Sequence, residues 1–359
     1  MFAAKRSKSG VPAGASHGNV LARGIGAFAA IGLLLTAPAF GADSIKGLVT
    51  GAGAPIAGST VTLWAASAGA PTPLAHTRTG SDGRFALSAE GAAGKDAILY
   101  LVALGGQATA TKTSGDNPAI ALMTVVGPTP PAHVVIDEMT TIAAVVTHTQ
   151  FIDGTSIQGS PLGLRIAAGN VPNFVDLATG GYGATILDAL NSAQTPTLAN
   201  FATLASILAA CVTELRPDAC SQLFDAATSP TGAHPKDTLA ATASIVRYPS
   251  HQAEKIFVLL NDFYPLPQFE PGKLLRPTPF LPYLNFAPSA WIFPLKFTGG
   301  GLSGPGKLMV DSEGNVWLAN NFMVGAQNQD ASWTGTLSKF APNGPKPRHD
   351  LRYISASLS

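Results

Sequence analysis

Apolar and polar positions change their period along the chain. From Ser44 to about Val126 they follow the two-residue period of strands. Ile45, Leu48 and Val49 open one strand, and Ser59-Thr60-Val61-Thr62-Leu63-Trp64 alternates with Val61 and Leu63 on one face. Phe85 and Leu87 resume the alternation after the turn cluster Thr79-Gly80-Ser81-Asp82-Gly83, where Asp-Gly is a hairpin signal. Ala97 to Leu104 is an unbroken apolar run, expected as a strand buried on both faces or central in its sheet. After Gly127-Pro128-Thr129-Pro130-Pro131 the period becomes helical. Asp137 is placed to cap a helix carrying Met139, Ile142, Val145 and Val146. Leu162–Ala168 and Asn173–Ala178 read as short helices on either side of Gly169-Asn170-Val171-Pro172. Leu198, Phe201, Leu204, Ala205, Leu208 and Val212 form one stripe of a helix capped by Thr195 or Thr197. Three shorter helices follow: one capped by Asp218 with Leu223 and Phe224, one over Leu239–Val246, and one over Ala253–Leu260 capped by Ser250. Phe263 to Pro294 has eight prolines and reads as an extended connector packing Phe269, Phe280, Tyr283, Phe286 and Trp291. Recognition of this stretch as an exposed polyproline helix is the alternative. Leu308 and Val310, then Val316 and Leu318, restore strand alternation around Asp311-Ser312-Glu313-Gly314-Asn315.

Two stretches resemble known modules. Gly47-Leu48-Val49, then Gly53 to Leu63, then Thr79 to Phe85 is similar to the carboxypeptidase regulatory-like, or transthyretin-like, fold over about 60 residues. That resemblance implies a non-catalytic sandwich in which Pro55, Gly58, Asp82 and Gly83 are turn residues, Gly83 supplying a positive φ. Calcium at Asp82 is the lesser alternative. Gly304 to Asn320, followed by Leu337 to Gly344, resembles one blade of an NHL-type propeller and of streptogramin (virginiamycin B) lyase-like propellers. It implies structural turn roles for Asp311, Gly314 and Asn315; a D-x-E-x-N calcium loop is the alternative. A propeller closes with four to eight blades, and no second D-x-x-G-N-x-W unit follows Gly344. Pro345 to Arg352 changes composition, which reads as a frameshift or premature stop, with a genuine single blade completed by another chain as the alternative. The resemblance transfers no catalytic residue, because the family's acting groups lie in later blades.

Composition narrows the function. The chain is 46% hydrophobic and 12% charged, which argues against disorder. Lys5, Arg6, Lys8 and Arg23 precede the apolar run Gly24–Ala37 and small residues, the pattern of a signal peptide over residues 1–42. The run is shorter than the ~20 residues that span a bilayer. Its removal takes four of 22 basic residues and none of 21 acidic ones, turning a net charge of +1 into −3. Nucleic acid is therefore not an expected partner. Cys211 and Cys220, the only cysteines, predict a disulfide in an exported chain, with free thiols or a metal as lesser readings.

No catalytic constellation emerges. The seven histidines make neither H-x-x-x-H nor H-E-x-x-H, and no G-x-S-x-G elbow occurs. His148, ending its helix, is expected to favour the negative helix terminus. Asp137 with Glu138 is a paired-carboxylate candidate, but neighbours on a helix diverge and a helix start explains them better. The chain reads as multi-domain α+β: signal peptide 1–42, β-sandwich 43–126, linker 127–135, all-α bundle 136–262, connector 263–298, a partial propeller blade 299–344 and an atypical tail 345–359. The expectation is an exported, periplasmic or extracellular scaffold with an unknown protein or glycan partner. No catalytic residue, cofactor, metal or stable membrane span is expected. The alternatives are an inactive piece of a propeller enzyme and a carrier of small apolar molecules in the helical unit.

Overall fold

A computed structural model describes residues 44–88, 96–110, 115–129, 131–267, 275–302, 304–320 and 336–344. The leader 1–42, the tail 345–359 and Phe269 lie outside the described residues. The chain is mixed α+β, with several antiparallel sheets and eight helices among the described residues.

The strands come first: β1 (Ser44–Gly51), β2 (Ala54–Ala57), β3 (Thr60–Ala66), β4 (Thr72–Arg78), β5 (Arg84–Ser88), β6 (Ile98–Leu104), β7 (Gln107–Ala108), β8 (Ala121–Gly127) and β9 (His133–Ile136). They form two sheets, β5-β1-β2-β7 with β9 beside β1, and β4-β3-β6-β8. All these pairs are antiparallel except β9, which runs parallel to β1 from Lys46↔His133 to Val49↔Ile136. Period two decides which side of the second sheet each residue faces. Val61, Leu63, Leu99, Leu101 and Leu122 share a cluster with Ile45, Val49, Ile56 and Phe85 of the first sheet. Their neighbours Ile98, Tyr100, Val102, Met123 and Val125 belong to a second cluster with the helices. The apolar run in β6 is thus buried on both faces, between β3 and β8. Each such large side chain contributes about 1.5–3 kcal/mol by leaving water.

The helices are α1 (Glu138–His148), then, after the small hairpin β10 (Ile152–Asp153) and β11 (Ser156–Ile157), α2 (Pro161–Phe174), α3 (Ala184–Leu187), α4 (Ala189–Ser192), α5 (Thr197–Val212), α6 (Ala219–Ala226), α7 (Thr238–Arg247) and α8 (Ala253–Phe263). Asp137 caps α1 through a capping box with Thr140. Of the two short helices expected around Pro172, the first runs on through the proline as α2 and stops at Phe174, while Val175 bridges Tyr182 and 176–178 are not helical. Pro172 falls in the last turn of α2, where the missing N–H leaves only the Ala168 carbonyl without its helical donor. Other expected caps differ. Pro196 is the residue that precedes α5, while the expected Thr195 accepts from Thr197 N at 3.3 Å from one position earlier; Gln252, at φ 51°, precedes α8 without a side-chain cap. Asp218 precedes α6, but its carboxylate takes Gln222 and Arg216 instead of the helix amides. All of α5 except Ala199 is buried, so this helix is the axis of the helical core.

Hydroxyls on the helices cover the sheet edge that β8 would otherwise expose. Thr238 Oγ1 accepts from Ala121 N at 3.0 Å and donates to the Ala121 carbonyl at 2.7 Å. Thr141 Oγ1 accepts from Met123 N at 2.9 Å.

After α8 the proline-rich stretch lies along α5 as a strap. Trp291 is 1% exposed; its indole donates to the Ala253 carbonyl. Phe280 and Tyr283 pack partly buried against the helices, but Phe286, expected inside, is 83% exposed. It sits in a turn on the strap's outer side, away from the α5 contacts made by its neighbours Leu284 and Ile292. The last described strands, β12 (Pro305–Val310), β13 (Val316–Asn320) and β14 (Thr336–Phe340), form an antiparallel three-stranded meander.

Candidate interaction surface on the C-terminal sheet

The meander is organised by one carboxylate. Asp311 Oδ1 accepts from the backbone amides of Glu313 (3.0 Å) and Asn315 (2.9 Å). Its Oδ2 accepts from Asn315 Nδ2 and Trp317 Nε1, each at 2.9 Å. Gly314, at φ 83°, closes the turn with its N–H on the Asp311 carbonyl. The Trp317 indole first, and the Asn315 amide next, hold the Asp311 carboxyl far below the usual carboxylate range. Both oxygens already face protein donors, so the geometry is that of a turn brace. Lys339 Nζ lies 4.9 Å above the Trp317 ring and 4.0 Å from Asp311.

The sheet is fastened at one end. Asn170 and Asn173 of α2 donate to the Pro342 and Asn343 carbonyls at 3.2 and 3.0 Å. A Cβ on Gly314 would meet Ile166 Cδ1 at 2.4 Å, so the turn approaches α2 closely. The other edge is β12, and every residue in it is exposed. Leu308, Met309 and Val310 are 60%, 74% and 60% exposed. Alternation puts Leu308 and Val310 on one face beside Leu318 and Val316, and Met309 on the other beside Trp317. A groove of about 270 Å³ lies on the first face, lined by Phe297, Leu302, Val316, Leu318, Phe340 and Pro342. Phe297 also borders a groove of about 400 Å³ between α1, α2 and the strap, with Phe151, Ile166, Asn170 and Phe174.

The remaining expected residues lie elsewhere. Pro55 is in β2, and Gly58 follows it at φ 71°. Gly83 has φ 72°, and a Cβ there would meet the Val49 carbonyl at 2.7 Å. Asp82 accepts from Arg84 N at 3.1 Å across the same turn. Cys211 and Cys220 form a disulfide joining the end of α5 to the first turn of α6. A Cβ at Gly83 would also lie 3.0 Å from Pro55 Cβ, so these two turn residues meet as a packing contact, apart from the Asp311 turn. His148 is buried, and burial lowers its pKa to about 4, so it carries no charge for the helix terminus at neutral pH.

Two polar arrangements escaped the sequence reading. Thr197, Asn200, Thr203 and Ser206 lie at three-residue spacing on α5, all buried. They bond the strap at the Pro294 carbonyl, the Ile292 carbonyl (2.8 Å), Leu284 N (2.8 Å) and the Phe280 carbonyl (3.4 Å). The spacing itself was the available signal, since it marks one polar stripe on a helix. The second is the burial of Glu138: the pair it forms with Asp137 was readable as a helix start, but not that its carboxyl is fully inside. Among the described residues no three His, Cys, Asp or Glu side chains converge as a metal set, and no helix is long and apolar enough to cross a membrane. No family model, curated protein or solved structure matches the chain.

Proposed function

We propose that the chain is an exported, non-catalytic scaffold or binding protein of the bacterial envelope or exterior, which contacts protein or glycan through the β12–β14 sheet. One observation carries the reading: three consecutive apolar residues, Leu308, Met309 and Val310, stand more than half exposed on a strand that, among the described residues, pairs on one side only. An edge of that kind ordinarily requires a covering partner. The disulfide is compatible with export, as is the leader pattern. The layout that fits is a sandwich over 43–126, a helical part over 136–262 and a blade over 299–344. The two N-terminal sheets with a common core support the carboxypeptidase regulatory-like resemblance.

A second reading rests on the same sheet. The Asp-x-x-Gly-Asn turn and apolar positions on both faces suit one blade of a propeller enzyme resembling streptogramin lyase, whose neighbours would cover both faces. The test is binding of the purified chain to immobilised envelope glycans and envelope proteins, compared with a Leu308→Glu/Met309→Glu variant of unchanged circular dichroism. The proposal expects a loss of binding of at least tenfold. Equal binding by both proteins overturns it.

A further inference from the structure

Two consecutive carboxyls are inside the protein, and they are not equivalent. Asp137 is 6% exposed and is satisfied at the cap of α1: Oδ1 accepts from Thr140 N at 2.7 Å. Glu138 is 0% exposed. Its Oε1 accepts from Ala52 N at 3.0 Å, and its Oε2 has no hydrogen-bond partner among the described residues. An ionised carboxylate with one bare oxygen is among the costliest groups to bury, and the neutral acid is far cheaper.

The partner of Glu138 is itself strained. Ala52 and Gly53 form the β1–β2 turn with φ values of 51° and 79°. Two left-handed residues are the signature of a type I′ turn, and an alanine in that region costs roughly 1–2 kcal/mol. The turn is also wedged. A Cβ on Gly51 would lie 2.4 Å from Val212 Cγ1 at the end of α5 and 3.5 Å from Glu138 Oε1. Orphan oxygen, strained turn and helix terminus therefore meet at one point. The titratable groups that face Glu138 are Asp137 on its own element and Tyr264 at the end of α8. The turn and the end of α5 present Gly51, Ala52 and Val212, none of which titrates.

We propose that Glu138 is a proton-operated latch: as the neutral acid it holds the strained β1–β2 turn against the end of α5, and loss of its proton to solvent at alkaline pH releases the turn. Burial, reinforced by the charge of Asp137, raises the Glu138 pKa to about 8. Burial raises Asp137 to about 6, opposed by its bonds to Thr140. Both folded values exceed the ordinary ones of 4.5 and 3.8. The stabilisation is thus complete in acid and is lost as pH rises, with the last step, between about 6 and 8, belonging to Glu138. Tyr264 is pushed well above the usual phenol range by burial and then by Glu138, so it stays neutral throughout.

The experiment follows urea unfolding and amide exchange from pH 5 to 9.5 in the whole chain and in Glu138→Gln, which keeps an acceptor for Ala52 but cannot ionise. In the wild type the unfolding midpoint falls above pH 6, and the protection factor of the Ala52 amide drops at least tenfold by pH 9.5. In Glu138→Gln both stay level above pH 6, and only the earlier loss that belongs to Asp137 remains. An equal fall in the two proteins overturns the latch. Carbon-13 carboxyl titration of the wild type settles the case if the variant does not fold: a Glu138 midpoint near 8 supports the proposal and one near 4.5 refutes it.

Discussion

The strap is held to α5 by side chains that a hydrophobic count would ignore, and their removal has a calculable consequence. Thr197→Val, Asn200→Leu and Thr203→Val together keep volume close to native while deleting three of the four bonds of the polar ladder. At about 1 kcal/mol net per bond, the triple variant loses about 3 kcal/mol. The bonds share one segment and so act as a unit. Opening of the strap should therefore become roughly 100-fold more frequent. Lys296 reports it, because its backbone N–H is tied to Asn191 Oδ1 while its side chain is exposed. Trypsin cleavage after Lys296 should accelerate by a similar factor under conditions where reclosing is fast. Trp291 fluorescence should shift to the red. Cleavage at the wild-type rate, with an unchanged urea midpoint, would refute the claim that the ladder holds the strap.

Three further outcomes follow from local geometry. Cys211→Ser/Cys220→Ser should lose about 2–3 kcal/mol of unfolding free energy for so short a loop, and wild type in reductant should match it. Gly83→Ala should lower the melting temperature by several degrees, because φ 72° and a Cβ 2.7 Å from the Val49 carbonyl are both unfavourable; an unchanged melting temperature would show that the turn relaxes. Trp317→Phe removes the indole donor to Asp311, so the Asp311 carboxyl should titrate higher by carbon-13 NMR. The stabilisation that Asp311 confers is present above its ordinary pKa and is lost as pH falls through its depressed folded value; the variant should lose it earlier during acidification.

Local periodicity made much of the fold legible. The apolar stripe of α5, from Leu198 to Val212, is buried as its spacing implies. So is β6, whose lack of alternation correctly marks a strand covered on both sides. Contacts between distant segments were not legible. β9 is four residues directly after a proline-rich stretch, and its parallel partner lies more than 80 residues earlier. The capping role of Asp137 follows from its own neighbourhood, whereas the burial of Glu138 depends on a turn 86 residues away. Phe286 fails for the converse reason: an aromatic residue carries no local mark of which side of an extended strap it occupies. In the C-terminal sheet the turn residues were readable from Asp311 to Asn315, but the exposure of the β12 edge required knowing what packs on the sheet.

The most direct measurement of the proposed role is site-specific photo-crosslinking in cells, with benzoylphenylalanine replacing Met309 in the whole chain and Phe286 as the control. Both positions are apolar and highly exposed, at 74% and 83%, but only Met309 lies on the open sheet. A binding surface at β12 predicts a discrete adduct from position 309 and none from position 286. Adducts from 286 alone, or no adduct from either, would contradict it.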